Sequence, residues 1–401
     1  MKILYFKWNS FGAEDVQEAF ENLGHIVAVM TWDQDAIYRD EKLQVKVIER
    51  LRNEGAEAAF SFDYYPPIAV ACHEEGIPYI SWIYDSPYVS LYSFTTSFET
   101  NHIFVFDREV FEEFERNNVD TVHYMPLAAN PRRLRRMIED KEQQILFNES
   151  IFCNKGRIAF VGAMYDETNT FFRKLDGITD SVRGYLEGII AVQKKIWGYN
   201  FVRSLLRKDI LDEMYKAFPL TFDKDCIAGM DYVYAEYCVN REITARERKE
   251  YITEIGKKLS VDGSIILDLY TMNEELSLPG IYNHGFVGPE RIAPFVYNRA
   301  KINLNITLRS IHSGIPLRAF EILGSGGFLL SNYQADFADC YVDGEDYVSF
   351  GSKEDMLDKM KYYLSHEKER SEIAHNGLVR TINNNTYEHR LTTMMKYIDG
   401  D

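Results

Sequence analysis

The sequence predicts an α/β protein of two domains, each with a doubly wound parallel sheet, and with a helical insertion in the second domain. Three observations lead to this prediction. A chain of 401 residues with 46% hydrophobic residues is long enough for two cores. Short apolar runs alternate with amphipathic segments from residue 1 to about 130 and again from about 264, which is typical of repeated βα units. Between these stretches, residues 166–260 have a mostly helical pattern.

The first domain, residues 1–140, contains six apolar runs of strand length, separated by segments with apolar residues at helical spacing. The predicted strands are 2–6, 26–30, 58–62, 79–83, 103–107 and 121–125, and the predicted helices are 13–23, 41–53, 66–75 and 108–117. Ligands of doubly wound sheets bind beyond the carboxyl ends of the strands. The loops of interest are therefore 7–12, 63–67, 84–92 and 127–130.

A charge-rich segment, residues 130–155, is predicted to be the linker between the domains. Its basic cluster favours a solvated helix face over a ligand site; the cluster comprises Arg132, Arg133, Arg135 and Arg136. The second domain, residues 151–380, begins with the strand RIAFVG and has its helical insertion at about residues 170–260. Its further strands are predicted at 264–270, 280–288, 301–307, 328–331 and 347–350, with helices at 289–299, 353–364, 367–376 and 387–397. Residues 381–401 are predicted to be a separate C-terminal helix.

Charge and cysteine content exclude several classes of function. The formal net charge of −17, from 62 acidic and 45 basic side chains, argues against a broad nucleic-acid or anionic-membrane surface. Five scattered cysteines without a CxxC spacing predict neither a disulfide framework nor a zinc site. No apolar stretch approaches the length of a membrane span. We therefore expect a soluble, cytoplasmic protein without a metal site.

The common nucleotide and hydrolase motifs are absent from the sequence. There is no GxGxxG after the first strand and no GxxxxGK[ST], GxSxG, HExxH or EF-hand loop. The strongest candidate is HSGIPLRAFEILGSGGFLLSN, residues 312–332, which has the pattern loop, helix, glycine turn and strand. Gly314 and Pro316 suit the start of a helix, where free backbone N–H groups attract anions. The alternative is an ordinary helix and strand of an α/β core.

Charged residues of this segment suggest a nucleotide site. The Arg318 guanidinium beside a helix N-terminus suits a diphosphate, and Glu321, one turn further, can accept hydrogen bonds from two ribose hydroxyls. Gly162 ends the first strand of the second domain, where a backbone can approach a phosphate; a simple turn glycine is the alternative. Residues 282–287, with Phe286, end another strand and offer aromatic rings for a nucleobase.

Two residues are candidates for catalysis. Asp85, in SWIYDSPYVSLYS, follows a buried strand and is expected to point into the cleft between the domains. A carboxylate there can act as a general base towards an acceptor hydroxyl, or it can cap the next helix. His312 can meet a phosphate or a developing charge, or it can be a structural histidine that is satisfied by its neighbours.

Long segments of the chain resemble a known family. The C-terminal half, with KINLNITLRSIHSGIPLRAFEILGSGGFLLSNYQADF and DGEDYVSF, resembles the spore-maturation-protein CgeB-like glycosyltransferases. The N-terminal half, with SWIYDSP and YMPLAANPRRL, resembles the domain of unknown function that precedes that module. The resemblance implies a GT-B architecture, in which two Rossmann-like domains enclose a cleft. It implies that the C-terminal domain holds a nucleotide-sugar donor, that the N-terminal domain meets the acceptor, and that the last helix crosses back to the first domain.

The resemblance also implies roles for individual residues. Glu321 matches the glutamate that binds the donor ribose, and Arg318, with the backbone of Gly314 and Ile315, matches the diphosphate side. Ser313 departs from the pattern, because many retaining GT-B enzymes have a glutamate at this position. No DxD-type metal pair follows a predicted strand, in keeping with metal-independent chemistry and with no cofactor besides the donor substrate.

Three functions are open at this point. The first is a glycosyltransferase that moves a hexose from a nucleotide sugar, UDP-linked, to a hydroxyl of a polysaccharide, protein or small-molecule acceptor. The second is a non-catalytic GT-B-like protein of surface or spore-coat assembly, which Ser313 favours. The third is an epimerase or hydrolase of the nucleotide sugar. The insertion is expected to form a homo-oligomer contact, to shape the acceptor side, or to be a structural layer.

Overall fold

The first domain forms one parallel sheet of six strands. The computed structural model describes residues 1–31, 40–166, 170–220, 225–288 and 291–399. The strands are β1 (Lys2–Lys7), β2 (Ile26–Thr31), β3 (Ala58–Phe62), β4 (Tyr79–Ile83), β5 (Asn101–Val105) and β6 (Val122–Tyr124). The helices are α1 (Ala13–Asn22), α2 (Glu41–Glu54), α3 (Pro66–Glu75) and α4 (Arg108–Arg116), with short 3₁₀ turns at Val89–Tyr92 and Phe94–Ser97. The spatial order is β2-β1-β3-β4-β5-β6.

Burial explains why these apolar runs form central strands. All residues of β3 and β4 are buried, as is typical of parallel strands that helices cover on both faces. β5 departs from its predicted bounds, because it ends at Val105 and leaves Phe106 and Asp107 outside the strand. Asp107 instead caps α4, where its carboxylate accepts the backbone N–H of Glu109.

The segment between the domains folds into two helices. These are α5 (Pro131–Glu139) and α6 (Lys141–Glu149). Arg132 and Arg135 of α5 are largely exposed, as predicted for a solvated face. Arg133 differs, because it forms a 2.5 Å ion pair with the buried Asp15 of α1. This pair attaches α5 to the first domain, so the segment is not a loose connection.

The second domain forms a second parallel sheet of six strands. They are β7 (Ile158–Val161), β8 (Leu267–Tyr270), β9 (Ile281–Asn283), β10 (Ile302–Asn305), β11 (Leu329–Asn332) and β12 (Val348–Phe350). The spatial order is β12-β11-β10-β7-β8-β9. The predicted α/β class with two parallel sheets is confirmed. The strand order reverses between β1 and β3 in the first sheet and between β7 and β10 in the second, and ligands bind at the carboxyl ends of such strand pairs.

The described residues between β7 and β8 form the helical insertion. Its helices are α7 (Asp180–Gln193), α8 (Val202–Leu205), α9 (Lys208–Ala217), α10 (Met230–Val233) and α11 (Asn240–Leu259), and a π-helical stretch, Tyr234–Val239, joins the last two. Residues 167–169 and 221–224 of the predicted insertion lie outside the described residues. The insertion has an apolar cluster of its own, which includes Leu186, Val202 and Met214. α11 also packs on the second sheet through Ile252 and Ile255.

The described residues after β9 contain six helices, the first three of which alternate with β10, β11 and β12, and the last of which contacts the first domain. They are α12 (Ala293–Arg299), α13 (Leu317–Gly324), α14 (Phe337–Cys340), α15 (Lys353–Ser365), α16 (Glu367–Asn384) and α17 (Tyr387–Asp399). The predicted start of α12 at Pro289 lies outside the described residues. On α17, the Tyr387 ring meets the Trp82 ring edge-on at 5.8 Å, and Arg390 Nε donates to the Pro126 carbonyl at 3.0 Å. None of the helices in the described ranges is long and apolar enough to cross a membrane.

Candidate active site

The carboxyl ends of β7 and β10 bring Gly162 and Arg318 together. Gly162 follows β7 with a φ of 150°, a conformation that L side chains rarely adopt. A Cβ at this position would lie 2.8 Å from Cζ of Arg318, so the guanidinium lies directly against the glycine backbone. Arg318 Nη1 also donates to Oδ1 of Asn305, the last residue of β10, at 3.2 Å. The two residues therefore meet at the point where the strand order reverses.

Arg248 of α11 reaches the same point. Its side chain is buried, and it donates through Nη1 to the carbonyl of Ala163 at 2.5 Å and through Nε to the carbonyl of Ile306 at 3.1 Å. The Phe160 ring centre lies 5.4 Å from the guanidinium carbon of Arg248 and 5.6 Å from that of Arg318. Burial, together with the positive charge of Arg318, lowers the pKa of Arg248 to about 10.

Neither guanidinium forms an ion pair with a carboxylate in the part of the chain that the structure describes. Glu247, the residue before Arg248, is instead held by Arg309, whose Nε donates to it at 2.8 Å. Two neighbouring cations repel each other and favour the binding of an anion, although the nearby Glu247 carboxylate offsets part of the charge of Arg248. Forked guanidinium donors are suited to phosphate oxygens. Arg318 is half-buried and can contact a diphosphate directly, whereas all three guanidinium nitrogens of the buried Arg248 donate to backbone carbonyls, so that Arg248 contributes positive charge to the site.

Glu321 lies one turn beyond Arg318 on α13 and is half-buried. Tyr297 lies beside both residues: burial and the Glu321 carboxylate raise the pKa of Tyr297, whereas Arg318 lowers it. The Glu321 carboxylate also acts electrostatically on Arg133 of α5 and on Tyr387 of α17. Its role as an acceptor for ribose hydroxyls stays a prediction.

The other predicted donor contacts lie apart from the two arginines. A Cβ on Gly314 would lie 2.8 Å from the Phe106 ring and 2.9 Å from the Phe106 carbonyl oxygen, so this glycine allows the two domains to approach closely. Ile315 is buried in an apolar cluster formed by both domains. Phe286 is 55% exposed in the loop after β9, two strands away from β7. The roles of these three residues in donor binding also stay predictions.

Asp85 follows β4 and is coupled to Asp63. Asp63 is buried after β3, has a φ of 56°, and accepts the backbone N–H groups of Tyr84 and Asp85 at 3.1 and 3.3 Å. Asp85 is an exposed residue, but loss of solvent around the side chains raises the pKa of both carboxyl groups. The Asp85 carboxylate raises the pKa of Asp63 further, whereas the positive charge of Arg241 and the hydrogen bond from Asp63 lower the pKa of Asp85. The next helical turn, Val89–Tyr92, has no side-chain cap. The structure therefore does not support the alternative in which Asp85 caps that turn.

Asp107 joins the two domains at the cleft. Its carboxylate accepts the backbone N–H groups of His312 and Ser313 at 2.6 and 3.2 Å, and it accepts the Ser313 hydroxyl at 2.9 Å. Both Asp107 and Ser313 are buried. Ser313, where the resemblance leads us to expect a glutamate, thus forms part of the contact between the domains.

His312 lies between two carboxylates. Nδ1 is 3.3 Å from Oε2 of Glu109 on α4, and Nε2 is 3.1 Å from Oε1 of Glu236 in the insertion. Burial opposes protonation, but the two carboxylates outweigh it and raise the pKa of His312 well above its usual value. The ring is therefore an imidazolium at neutral pH with both N–H groups occupied. This geometry favours a cationic clamp between the first domain and the insertion over a general base.

The His312 clamp predicts a pH-dependent contribution to stability. Because the folded-state pKa is raised, the stabilisation is complete below the unfolded pKa of about 6.5 and is lost as the pH rises through the folded value. We expect His312→Gln to lower the free energy of unfolding by about 2 kcal/mol at acidic pH, as for hydrogen bonds to charged groups, and by less at alkaline pH. Thermal unfolding of both proteins across this range measures the difference. His375→Gln, at an exposed position of α16, is the control; a His312→Gln effect independent of pH would contradict the clamp.

Asp85 and His312 line one cavity of about 450 Å³ between the first domain and the insertion. Across the mouth of the cleft, Ser86 Oγ donates to the Ser310 carbonyl at 2.7 Å. The lining does not include Gly162 or Arg318, so the two predicted catalytic residues and the two phosphate-site residues form separate groups. Within the described ranges, no cluster of three or more His, Cys, Asp or Glu side chains could hold a metal ion.

A segment in the second half of the chain matches a known family. Residues 246–396 match the family described as glycosyl transferase-like. This glycosyl transferase-like segment contains Arg248, His312, Arg318 and Glu321, whereas Gly162 and Asp85 lie outside it. No curated protein matches the sequence.

Solved structures share the fold over the whole chain. A glycosyltransferase from Rickettsia africae ESF-5 has 10% identity and a TM-score of 0.54, with 100% of this chain and 98% of that chain covered. The UDP-forming α,α-trehalose-phosphate synthase from Burkholderia vietnamiensis has 11% identity and a TM-score of 0.53, with 100% and 99% covered. Anabaena Alr3699/HepE, solved in complex with UDP and glucose, has 9% identity and a TM-score of 0.51, with 100% of both chains covered. The chain therefore has the two-domain α/β fold of GT-B glycosyltransferases, with its glycosyl transferase-like segment in the second domain.

Three residues of these two groups were not among the predicted site residues. Asp63 and Asp107 each follow a buried strand, as Asp85 does, and this signal could have identified them. Arg248 carries no comparable local signal, because the helix ITARERKEY reads as a charged, solvated surface. Only the packing of α11 against the second sheet takes this arginine out of solvent.

Proposed function

We propose that the protein is a glycosyltransferase that moves a sugar from a UDP-linked donor to a hydroxyl of an acceptor. The observation that carries the proposal is the pair of guanidinium groups, Arg248 and Arg318, at the carboxyl ends of β7 and β10. Both belong to the glycosyl transferase-like segment. The choice of UDP is supported by Alr3699/HepE, a structural neighbour solved with UDP-glucose. We also propose that the protein is a CgeB-like enzyme and that it is located in the cytoplasm.

In the proposed reaction, the bond between the sugar C1 and the diphosphate oxygen breaks and a bond from C1 to the acceptor oxygen forms. Asp85 takes the proton of the acceptor hydroxyl as a general base. Arg248 and Arg318 stabilise the negative charge that develops on the leaving UDP, so the proposal includes no metal ion. Glu321 accepts hydrogen bonds from the ribose. The acceptor lies on the side of Asp85, in the cleft that the first domain lines.

The proposal is tested by measuring UDP release from UDP-glucose, UDP-galactose and UDP-N-acetylglucosamine, with and without a mixture of saccharide acceptors. We expect at least one donor to release UDP and the acceptor mixture to accelerate the release. Release of UDP without any transferred product would favour a hydrolase. Failure of every donor to bind and react would instead favour the non-catalytic alternative, which is consistent with the burial of Ser313 in the domain contact.

Gly162 provides a test of the phosphate end. Gly162→Ala adds a Cβ where the Arg318 guanidinium lies and strains a backbone with a φ of 150°. We expect the affinity for UDP to fall about tenfold, which corresponds to about 1.4 kcal/mol, because Arg318 must move. Calorimetric titration with UDP measures the change. Gly184→Ala on α7 is the matched control, since a Cβ there meets no atom within 4 Å; equal UDP affinities of the two variants would contradict the prediction.

A further inference from the structure

The cavity that contains Asp85 and His312 has walls from both domains. The first domain contributes the loop after β4 and the start of α4, and the insertion contributes Tyr199, Arg203 and Tyr232. A volume of about 450 Å³ lies within the range of small-molecule sites. The reaction proposed above needs space for an acceptor beside Asp85, and this cavity is the space that the structure provides.

Arg203 fastens the insertion to the first domain along this wall. Its Nη1 donates to Oε1 of Glu113 on α4 at 2.7 Å, and its Nε donates to Oδ2 of Asp231 on α10 at 2.7 Å. The rings of Tyr92 and Tyr232 meet above this network at 4.4 Å. These ion pairs and ring contacts hold the insertion in place against the first domain, so the insertion forms a fixed wall of the cavity.

Charge on the cavity wall disfavours a charged acceptor. The described lining carries six carboxyl groups but only two arginines and His312, so a phosphorylated acceptor would meet net negative charge. Four of the six carboxylates are also occupied: Glu113 and Asp231 bind Arg203, and Glu109 and Glu236 bind His312. An ammonium group would therefore have to displace one of these cations or pair with Asp85, the proposed base, which would hinder proton transfer.

The lining contains four tyrosines, Tyr88, Tyr92, Tyr199 and Tyr232. Tyr92 and Tyr232 are buried and pack on each other, so Tyr199, and not these two, has a ring face that can contact a ligand. Rings of this kind stack on the apolar face of a sugar, while neighbouring carboxylate and amide oxygens accept hydrogen bonds from its hydroxyls. Tyr199 is 63% exposed, so its face is open to a ligand.

We propose that the helical insertion completes an acceptor site in this cavity and that the acceptor is an uncharged saccharide. The inference rests on the proposed function and names the class of its second substrate. The insertion thereby selects against sugar phosphates and amino sugars, because the wall is acidic and most of its carboxylates are already paired.

The first test is an acceptor panel with the donor that releases UDP. Neutral mono- and disaccharides are compared with glucose 6-phosphate, glucosamine and octyl glucoside, and products are identified by mass spectrometry. We expect a neutral saccharide to accelerate UDP release most and to carry the transferred sugar. The proposal is overturned if a charged or lipid-like acceptor is used best, or if no neutral saccharide in the panel is glycosylated.

The second test compares Tyr199→Ala with Tyr215→Ala. Tyr215 is an exposed tyrosine of α9 in the same insertion, outside the cavity lining. Loss of one stacking contact is expected to lower the ratio of transfer to donor hydrolysis about 3- to 10-fold for Tyr199→Ala and to leave the ratio of Tyr215→Ala at the wild-type value. An unchanged ratio for Tyr199→Ala would overturn the acceptor site.

Donor hydrolysis separates this inference from the proposed function. If the wild-type protein neither binds nor hydrolyses any UDP-sugar, the proposed function fails. If it hydrolyses a donor but glycosylates only charged or lipid-like acceptors, the proposed function stands and the assignment of an uncharged saccharide fails.

Discussion

With asparagine in place of Asp85, we expect the rate of sugar transfer to fall by about 10²- to 10⁴-fold, the usual contribution of a general base, while the affinity for UDP stays at the wild-type value. Asparagine keeps the size of the side chain but cannot take the proton of an acceptor hydroxyl. UDP affinity is expected to persist because Asp85 follows β4 of the first sheet, whereas Arg248 and Arg318 lie at the second sheet. Steady-state transfer rates and UDP calorimetry measure the two quantities.

Of the two predicted catalytic residues, Asp85 is the better base because its carboxyl group can ionise, whereas His312 is held in its protonated form. Desolvation raises its pKa, whereas the positive charge of Arg241 and the hydrogen bond from Asp63 lower it and keep the carboxyl group able to ionise. His312 is held as an imidazolium between Glu109 and Glu236 and has no free nitrogen to accept a proton. Asp120→Asn, at an exposed turn before β6, is the matched control for Asp85→Asn. Near wild-type transfer by Asp85→Asn would show that the base lies elsewhere.

Asp63 provides an independent test of this coupling. Asp63→Ala removes the hydrogen bond that lowers the Asp85 pKa, so the acidic limb of the pH–rate profile is expected to move to higher pH. Asp63→Asn keeps a donor for Asp85 and an acceptor for the two backbone N–H groups, and its profile is expected to stay near that of the wild type. Identical profiles for the two variants would rule out the coupled pair.

The second large effect is expected at Arg318. Arg318→Ala removes a cation that faces the leaving diphosphate in the proposed reaction, and kcat/KM for the donor is expected to fall by about 10²- to 10³-fold. Arg318→Lys keeps the charge but not the forked donors, so its loss is expected to be smaller. Arg135→Ala, an exposed arginine of α5, is the control. A value of kcat/KM within twofold of the wild type for Arg318→Ala would contradict the assignment.

Arg248 and Arg318 are expected to act as a unit. Both guanidinium groups flank the Phe160 ring at the ends of neighbouring strands, and residues that bind one ligand together have non-additive effects. We expect the double variant Arg248→Met, Arg318→Met to lose little more donor affinity than the worse single variant. Strictly additive losses would indicate two independent sites.

The fold could be predicted from the sequence because parallel strands are apolar throughout and their loops carry turn residues. β3 and β4 agree with the predicted runs to the residue. The predicted β5 lies two residues too far along the chain at each end, because the run IFVFD continues the hydrophobic pattern beyond the strand. Its last two residues belong to the loop after β5, and the second of them, Asp107, caps α4. α13 begins at Leu317, one residue after Pro316, which precedes the helix in an extended conformation.

The candidate site could be predicted only where a residue lies at the end of a strand or at the start of a helix. Gly162, Asp85 and Arg318 were identified because strand ends and helix starts mark the ligand side of a doubly wound sheet. Arg248 could not be identified, since its burial depends on how the insertion packs on residues more than fifty positions away, among them Ile306. The contacts of His312 could not be predicted either, because Glu109 and Glu236 come from distant segments of the chain.

The most direct test of the account is a calorimetric titration of UDP into the wild-type protein and into the double variant Arg248→Met, Arg318→Met. We expect saturable binding of one UDP per chain to the wild-type protein, weakened by added salt, and at least about 100-fold weaker binding to the double variant. Wild-type protein that binds no UDP at millimolar concentration, or a double variant that binds it with wild-type affinity, would contradict the central claim that these two arginines form the donor diphosphate site.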